Sequence, residues 1–287
     1  MNIPASDATR NEGQQQSEDW WRNEIIDMAP GVIRYRGYAI EDLIRGGVSL
    51  AQMIWLMTRG ELPTLAQARL LDAVLMAAVD HGPQAPSIAI ARMAATCGVG
   101  LNSAMASALN VLGDVHGGAG EQALEMYLDA EARIEAGDTE EQAIEGAMES
   151  FTYRHGPYIS GFGHRFHPVD PRATPLLELV DAAAARGEVS GRYARIARGV
   201  QAILTARRGG RPIAMNIDGA TAVVYAELGF APALARGLFC LSRSVGILAH
   251  AWEQTQQGGR NKGPIPRSFL PTYAGHPPRE VPPSTEA

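Results

Sequence analysis

The chain has 287 residues, 46% hydrophobic and 20% charged, with a formal net charge of −6. That balance is globular, because a disordered chain would be poorer in apolar residues and richer in one sign of charge. An acidic chain without a basic run argues against nucleic-acid binding. The lack of an uninterrupted apolar stretch of about 18 residues argues against a membrane span.

Residues 1–18 are polar, lack a hydrophobic signal core and read as a disordered N-terminal arm. Order is expected to begin near Trp20 and Trp21. The alternating run at 32–38 predicts a short strand or hairpin. From there helices dominate. The spacing of apolar residues and breakers predicts helices over 41–44, 50–59 and 65–79, the last with Thr64 as N-cap. Further helices are predicted over 88–112, 119–136, 139–153, 175–186, 191–207, 220–228 and 231–256. From Gly258 onward the chain holds seven of its 18 prolines and reads as an extended tail. Aromatics are only 6% of residues, so the core is expected to be aliphatic and rich in alanine. With no alternation of strands and helices, the fold class is all-α. Cys97 and Cys240 sit in apolar surroundings without CxxC spacing and read as core thiols, in a reduced, cytoplasmic protein.

The connections between helices carry the chemistry-bearing residues. No phosphate loop, dinucleotide fingerprint, HExxH pair or GxSxG elbow occurs. The prolines at 168 and 171 argue against His164 and His167 sharing a helical face as metal ligands. Taken singly, the remaining signals are weak. His155, His167, His250 and His276 read first as solvated or structural, and Asp218, two residues after Asn216, reads equally well as a helix cap. Together they are more specific. His116 precedes two glycines, Gly161 and Gly163 precede His164, and Arg165 and Arg172 follow closely. Glycines let a planar group approach the backbone. Imidazole donors, a carboxylate base and arginines suit removal of a proton alpha to a carbonyl, with the enolate oxygen held by donors and a di- or tricarboxylate held by guanidinium groups.

These residues resemble the citrate synthase superfamily, and within it the short citryl-CoA lyase-like members. The similarity spans about residues 31–275 and rests on five segments in order. They are Ile33-Arg34-Tyr35-Arg36-Gly37-Tyr38 with Gly60-Glu61-Leu62-Pro63; His116-Gly117-Gly118-Ala119; Gly161-x-Gly163-His164-Arg165 with Asp170-Pro171-Arg172; Asn216-x-Asp218; and Arg243-x-x-Gly246 with Ala249-His250 and Glu253-Gln254. The resemblance implies a citrate synthase-like fold with a large and a smaller helical domain. Placed on this chain, the large domain falls at 19–155 and 236–287 and the small one at about 156–235. It implies that Asp218 is the base, His116 a donor to the enolate oxygen, and His164 the polariser of the keto carbonyl of oxaloacetate. His81, Arg172 and Arg243 would bind that oxo acid. Arg267 would do so across a homodimer, with Arg260 as its rival ahead of Tyr273-Ala274-Gly275. Ser160, Gly161, Phe162, Gly163 and Arg165 would lie near the coenzyme A nucleotide. The implied activity is citrate synthase or citryl-CoA lyase, with acetyl-CoA, oxaloacetate or citryl-CoA as substrates and no metal or redox cofactor. Two alternatives stand beside it: another acyl-CoA and oxo acid pair such as 2-methylcitrate synthesis, and a catalytically weak paralogue that binds acyl-CoA or a tricarboxylate.

Overall fold

A computed structural model describes residues 22–163, 168–266 and 268–281. His164, Arg165, Arg267 and the arm at 1–18 therefore lie outside the described residues.

The described chain opens with a three-stranded antiparallel sheet, β1 Ile26–Ala29, β2 Val32–Tyr35 and β3 Tyr38–Ala39, in that spatial order. Ala29 faces Val32 across a tight turn, where Gly31 has φ 76°. The hairpin predicted over 32–38 is β2 and β3; β1 extends it.

Eleven helices follow among the described residues: α1 Ile40–Arg45, α2 Leu50–Arg59, α3 Leu65–Ala77, α4 Pro86–Thr96, α5 Leu101–Leu109, α6 Ala119–Glu135, α7 Glu140–His155, α8 Ala173–Ala185, α9 Arg192–Arg207, α10 Ile217–Glu227 and α11 Pro232–Gln257. Three begin in full capping boxes, Ser49 with Gln52, Thr64 with Gln67 and Thr139 with Gln142, which satisfy leading amides from both directions. The single helix predicted over 88–112 is two. Thr96 ends α4, Gly98 takes a left-handed φ of 84°, and Gly100 caps α5.

The chain divides into two compact units. The first contains the described residues up to Val79 together with Gly113–Arg243; the second contains Asp80–Leu112 and the described residues from Ser244. The first unit is built around α10, which buries nine of its 11 residues. A helix apolar on all sides needs neighbours on all sides, and α3, α6, α8 and α9 supply them. Leu71, Val74, Leu124, Tyr127, Phe151, Val180, Val200 and Val223 fill the space between. The segment 156–235 therefore shares one core with α3 and α6, and the boundaries expected at 155 and 235 fall inside this unit. The second unit packs α4, α5 and the later turns of α11 around Ile88, Ala91, Ala104, Ala108, Ile247 and Ala251. The Pro-rich tail is anchored in this unit where Thr96 accepts from Asn261 N at 2.9 Å and from Lys262 N at 3.0 Å.

Two expectations need revision. Cys97 is not a core thiol: it caps the C-terminus of α4 and is exposed, while Cys240 is half-buried, and both are free. By length and composition alone, α11 is apolar enough to cross a membrane. It carries Arg236, paired with Asp114 and Glu121, and Arg92 pairs with its Glu253.

Candidate active site

The first unit gathers most of the predicted residues around the N-termini of three helices. At α10, Asn216 is the N-cap, and its Oδ1 accepts from Asp218 N at 2.9 Å and Gly219 N at 3.2 Å. Capping therefore falls to Asn216, and Asp218 is half-buried at the second helical position. Asn216 also ties down the preceding glycine segment: its N donates to Gly161 O at 3.0 Å and its Nδ2 to Gly163 O at 2.8 Å. Gly163 N returns a bond to Ala214 O at 2.8 Å. Gly161 is required here for a reason different from the one expected. With φ 89°, a Cβ at this position would lie 2.8 Å from Gly219 Cα, so the loop rests backbone to backbone on α10. Ser160 faces elsewhere, donating to Gln122 Oε1 at 2.7 Å.

The remaining leading amide of α10 belongs to Ile217, and it donates to Asp170 Oδ2 at 3.0 Å. Asp170 also receives Arg172 N at 3.0 Å and Arg172 Nε on Oδ1, and Arg172 NH2 on Oδ2, both at 2.9 Å. Burial pushes the carboxyl pKa up, but the Arg172 guanidinium and these amides outweigh it and hold the group at about 2. Arg172 is the N-cap residue of α8, so Asp170 joins the starts of α8 and α10.

The third N-terminus is that of α6. His116 lies in a loop closed by Gly113 N donating to His116 O at 2.9 Å. Gly117 has φ 103°, and a Cβ on Gly118 would meet Asp114 Cα at 2.7 Å, so the loop folds back too tightly for a side chain at 118. Gln122 Nε2 donates to Asp114 O at 3.1 Å and fixes the loop to the first turns of α6. At Gly120, a Cβ would lie 3.8 Å from Asp218 O, which brings the start of α6 against the start of α10. His116 is half-buried, and its pKa is lowered first by burial and second by the charge of Arg243. Arg243 is itself buried at 6% exposure; its Nε donates to Ala78 O at 3.1 Å, and its guanidinium carbon stands 4.9 Å from the Phe239 ring centroid. The starts of α6, α8 and α10 thus lie together, and the positive ends of their helix dipoles favour bound anions.

In the second unit, exposed His81 sits beside a side-chain relay. Asp80 Oδ2 accepts from Gly82 N at 3.1 Å, and Asp80 Oδ1 stands 3.2 Å from His250 Nε2. His250 Nδ1 is 3.0 Å from Arg92 NH1, which also meets Glu253 at 2.5 Å. Arginine can only donate, so Nδ1 of His250 is the acceptor in that contact. Burial raises the Asp80 pKa, but His250 and the Gly82 and His81 amides lower it further.

Sequence reasoning missed Arg92, Asn216 as the cap, and Gln122. Only the Asn-x-Asp spacing was a local signal; the others act on partners far along the chain. Among the described residues, no group of three or more His, Cys, Asp or Glu side chains is arranged to hold a metal ion.

Fold and site together define an all-helical protein with a carboxylate, imidazole and arginine site at converging helix N-termini. A profile of the citrate synthase C-terminal domain matches residues 64–267. The citrate synthase of Deinococcus radiodurans is 32% identical over 202 residues, spanning 70% of this chain and 51% of that protein. That of Saccharolobus solfataricus is 28% identical over 213 residues, spanning 74% and 54%. The chain belongs to the citrate synthase family, and it spans about half the length of these relatives. Among solved structures, the citryl-CoA lyase from Hydrogenobacter thermophilus superposes with a TM-score of 0.78 at 30% identity, covering 92% of this chain and 98% of that one.

Proposed function

We propose that the chain makes or breaks the carbon–carbon bond between the methyl carbon of acetyl-CoA and the keto carbon of oxaloacetate, with cleavage of citryl-CoA as its favoured direction. The observation that supports the chemistry is that Asp170 ties the starts of α8 and α10 together and the start of α6 lies against that of α10, the helix starts beside which Arg172, Asp218 and His116 stand in the chain. The likeness to a citryl-CoA lyase, at a TM-score of 0.78 and 30% identity, supports cleavage.

In the synthetic direction Asp218 takes a proton from the thioester methyl group, and neutral His116 donates a hydrogen bond to the enolate oxygen. The enolate carbon then attacks the keto carbon, whose oxygen is polarised and protonated by His164. Arg172 and Arg243 hold the oxo acid's carboxylates. Cleavage reverses each step: the tertiary hydroxyl loses its proton, the carbon–carbon bond breaks, and Asp218 returns a proton to the methylene carbon. Coenzyme A enters as part of the substrate. Gly219 closes one side of Gly161 and the Ser160 hydroxyl is engaged with Gln122, so contacts with its nucleotide fall to Phe162, Gly163 and Arg165. The functional unit is a homodimer, to which Arg267 contributes across the interface.

Steady-state assays with acetyl-CoA plus oxaloacetate, and separately with citryl-CoA, test this reading. The expected result is turnover in at least one assay, lowered about 10²- to 10⁴-fold by Asp218→Ala. Binding of citryl-CoA without turnover would leave the chain a carrier rather than a catalyst.

A further inference from the structure

Asp170 is a buried carboxylate with no side-chain exposure, and it serves two segments far apart in sequence. Its four bonds go to Arg172 N, Nε and NH2 and to Ile217 N, so both oxygens are doubly engaged. Holding two helix starts together does not by itself require a charge, because well-packed apolar residues replace buried ion pairs with little or no loss of stability. What the charge adds is orientation. A carboxylate that grips both Nε and NH2 fixes a guanidinium in one plane.

The consequence for Arg172 follows from its donor count. A guanidinium has five N–H groups, and Asp170 takes two, one on Nε and one on NH2. The second N–H of NH2 and both on NH1 remain, and these form the end of the fork that meets a carboxylate bidentately. The same Asp170 oxygen that holds NH2 also holds the amide of Ile217, the residue before Asp218. One carboxyl group thus sets the position of the anion-binding edge relative to the backbone that carries the base.

We propose that Asp170 is a positioning residue of the reaction: through its bonds to Arg172 and Ile217 N it aligns the free edge of the Arg172 guanidinium with the first turn of α10, so that the oxo acid is held in register with Asp218. This rests on the acyl-CoA and oxo acid reading of the same site. Asp170→Asn keeps the shape but turns an NH2 group toward donors, which unlocks the guanidinium.

The test varies the two substrates separately in Asp170→Asn, Arg172→Gln and the double variant. The expected result for Asp170→Asn is a rise of about tenfold or more in KM for oxaloacetate and a fall of about tenfold in kcat. KM for acetyl-CoA stays within about twofold. In the Arg172→Gln background, Asp170→Asn raises the oxaloacetate KM no further. Where Asp170→Asn does not fold, Asp170→Ser replaces it, since its hydroxyl still accepts from the Ile217 amide and leaves room for water at the guanidinium. An unchanged oxaloacetate KM, equal rises for both substrates, additive losses in the double variant, or loss of folding in both Asp170 variants overturns the proposal. Absence of turnover in the unmodified protein, both with acetyl-CoA plus oxaloacetate and with citryl-CoA, counts against the activity reading instead, so the two failures are distinct.

Discussion

Arg243 is a buried cation inside a helix, and its field reaches His116. Burial is the first cause of the lowered His116 pKa and Arg243 the second, so the imidazole is neutral at pH 7 and can donate without carrying charge. The folded pKa lies below the unfolded one. The associated stability is therefore complete above the unfolded value of about 6.5 and is lost as pH falls through the folded value. Arg243→Gln should raise the His116 pKa towards about 6.5 without reaching it, because burial remains. An NMR titration of the imidazole protons reads this directly, and an unmoved midpoint would show that the Arg243 charge does not act on His116. At this scale the residue types were legible in the sequence, but their division of labour was not. Asn216 and Asp218 sit two apart, and the sequence offered Asp218 as the cap; the bonds to the Asp218 and Gly219 amides assign it to Asn216. Asp170 was visible only as part of a short motif, because its defining partner is the Ile217 amide, 47 residues away.

Among the elements, α10 and the loop at 160–163 depend on each other more closely than any periodicity could reveal. Gly219 lies inside a helix, where glycine costs about 1 kcal/mol relative to alanine. Propensity alone therefore predicts that Gly219→Ala stabilises. The structure predicts the reverse, since the added Cβ would stand 2.7 Å from Met215 Cγ and also press on the Gly161 backbone. Overpacking of this kind costs about 1–3 kcal/mol, and backbone atoms cannot rotate aside. A net loss of up to about 2 kcal/mol is expected in urea unfolding, with the m-value unchanged. Increased stability would mean that the loop is not seated firmly on the helix. The helices were otherwise well marked in the sequence, by apolar spacing and by Ser/Thr caps followed by glutamine. The missed break between α4 and α5 shows what that signal lacks. Apolar residues continue through Val99 and Leu101 at helical spacing, while the chain turns at Gly98 through a conformation that only its φ of 84° discloses.

For the whole molecule, the second unit poses a problem of burial. Its core is a handful of mostly small side chains, Ala85, Ile88, Ala91, Ala104, Ala108, Ile247 and Ala251. Such a core gives a unit built from short helices little stability of its own. Yet α11 also presents Leu241, Val245, Leu248 and Trp252 to solvent, at 50%, 57%, 41% and 56% exposure. Their spacing of four, three and four residues is the seam of a helix packed against another helix. The inner face of α11, at Ile247 and Ala251, is buried, and the exposed apolar seam is a second surface that a helical partner would cover. The proposed homodimer would cover it: a two-fold axis beside α11 would set each seam against its own copy, the self-complementary contact that such symmetry requires. Leu248→Asp places a charge in that seam without touching the inner face. Sedimentation at micromolar concentration should therefore give a dimer for the unmodified chain and a monomer for Leu248→Asp. The melting temperature should rise with concentration for the former and not for the latter. A monomeric unmodified chain with a concentration-independent melt would mean that the seam of α11 is not covered by a second copy.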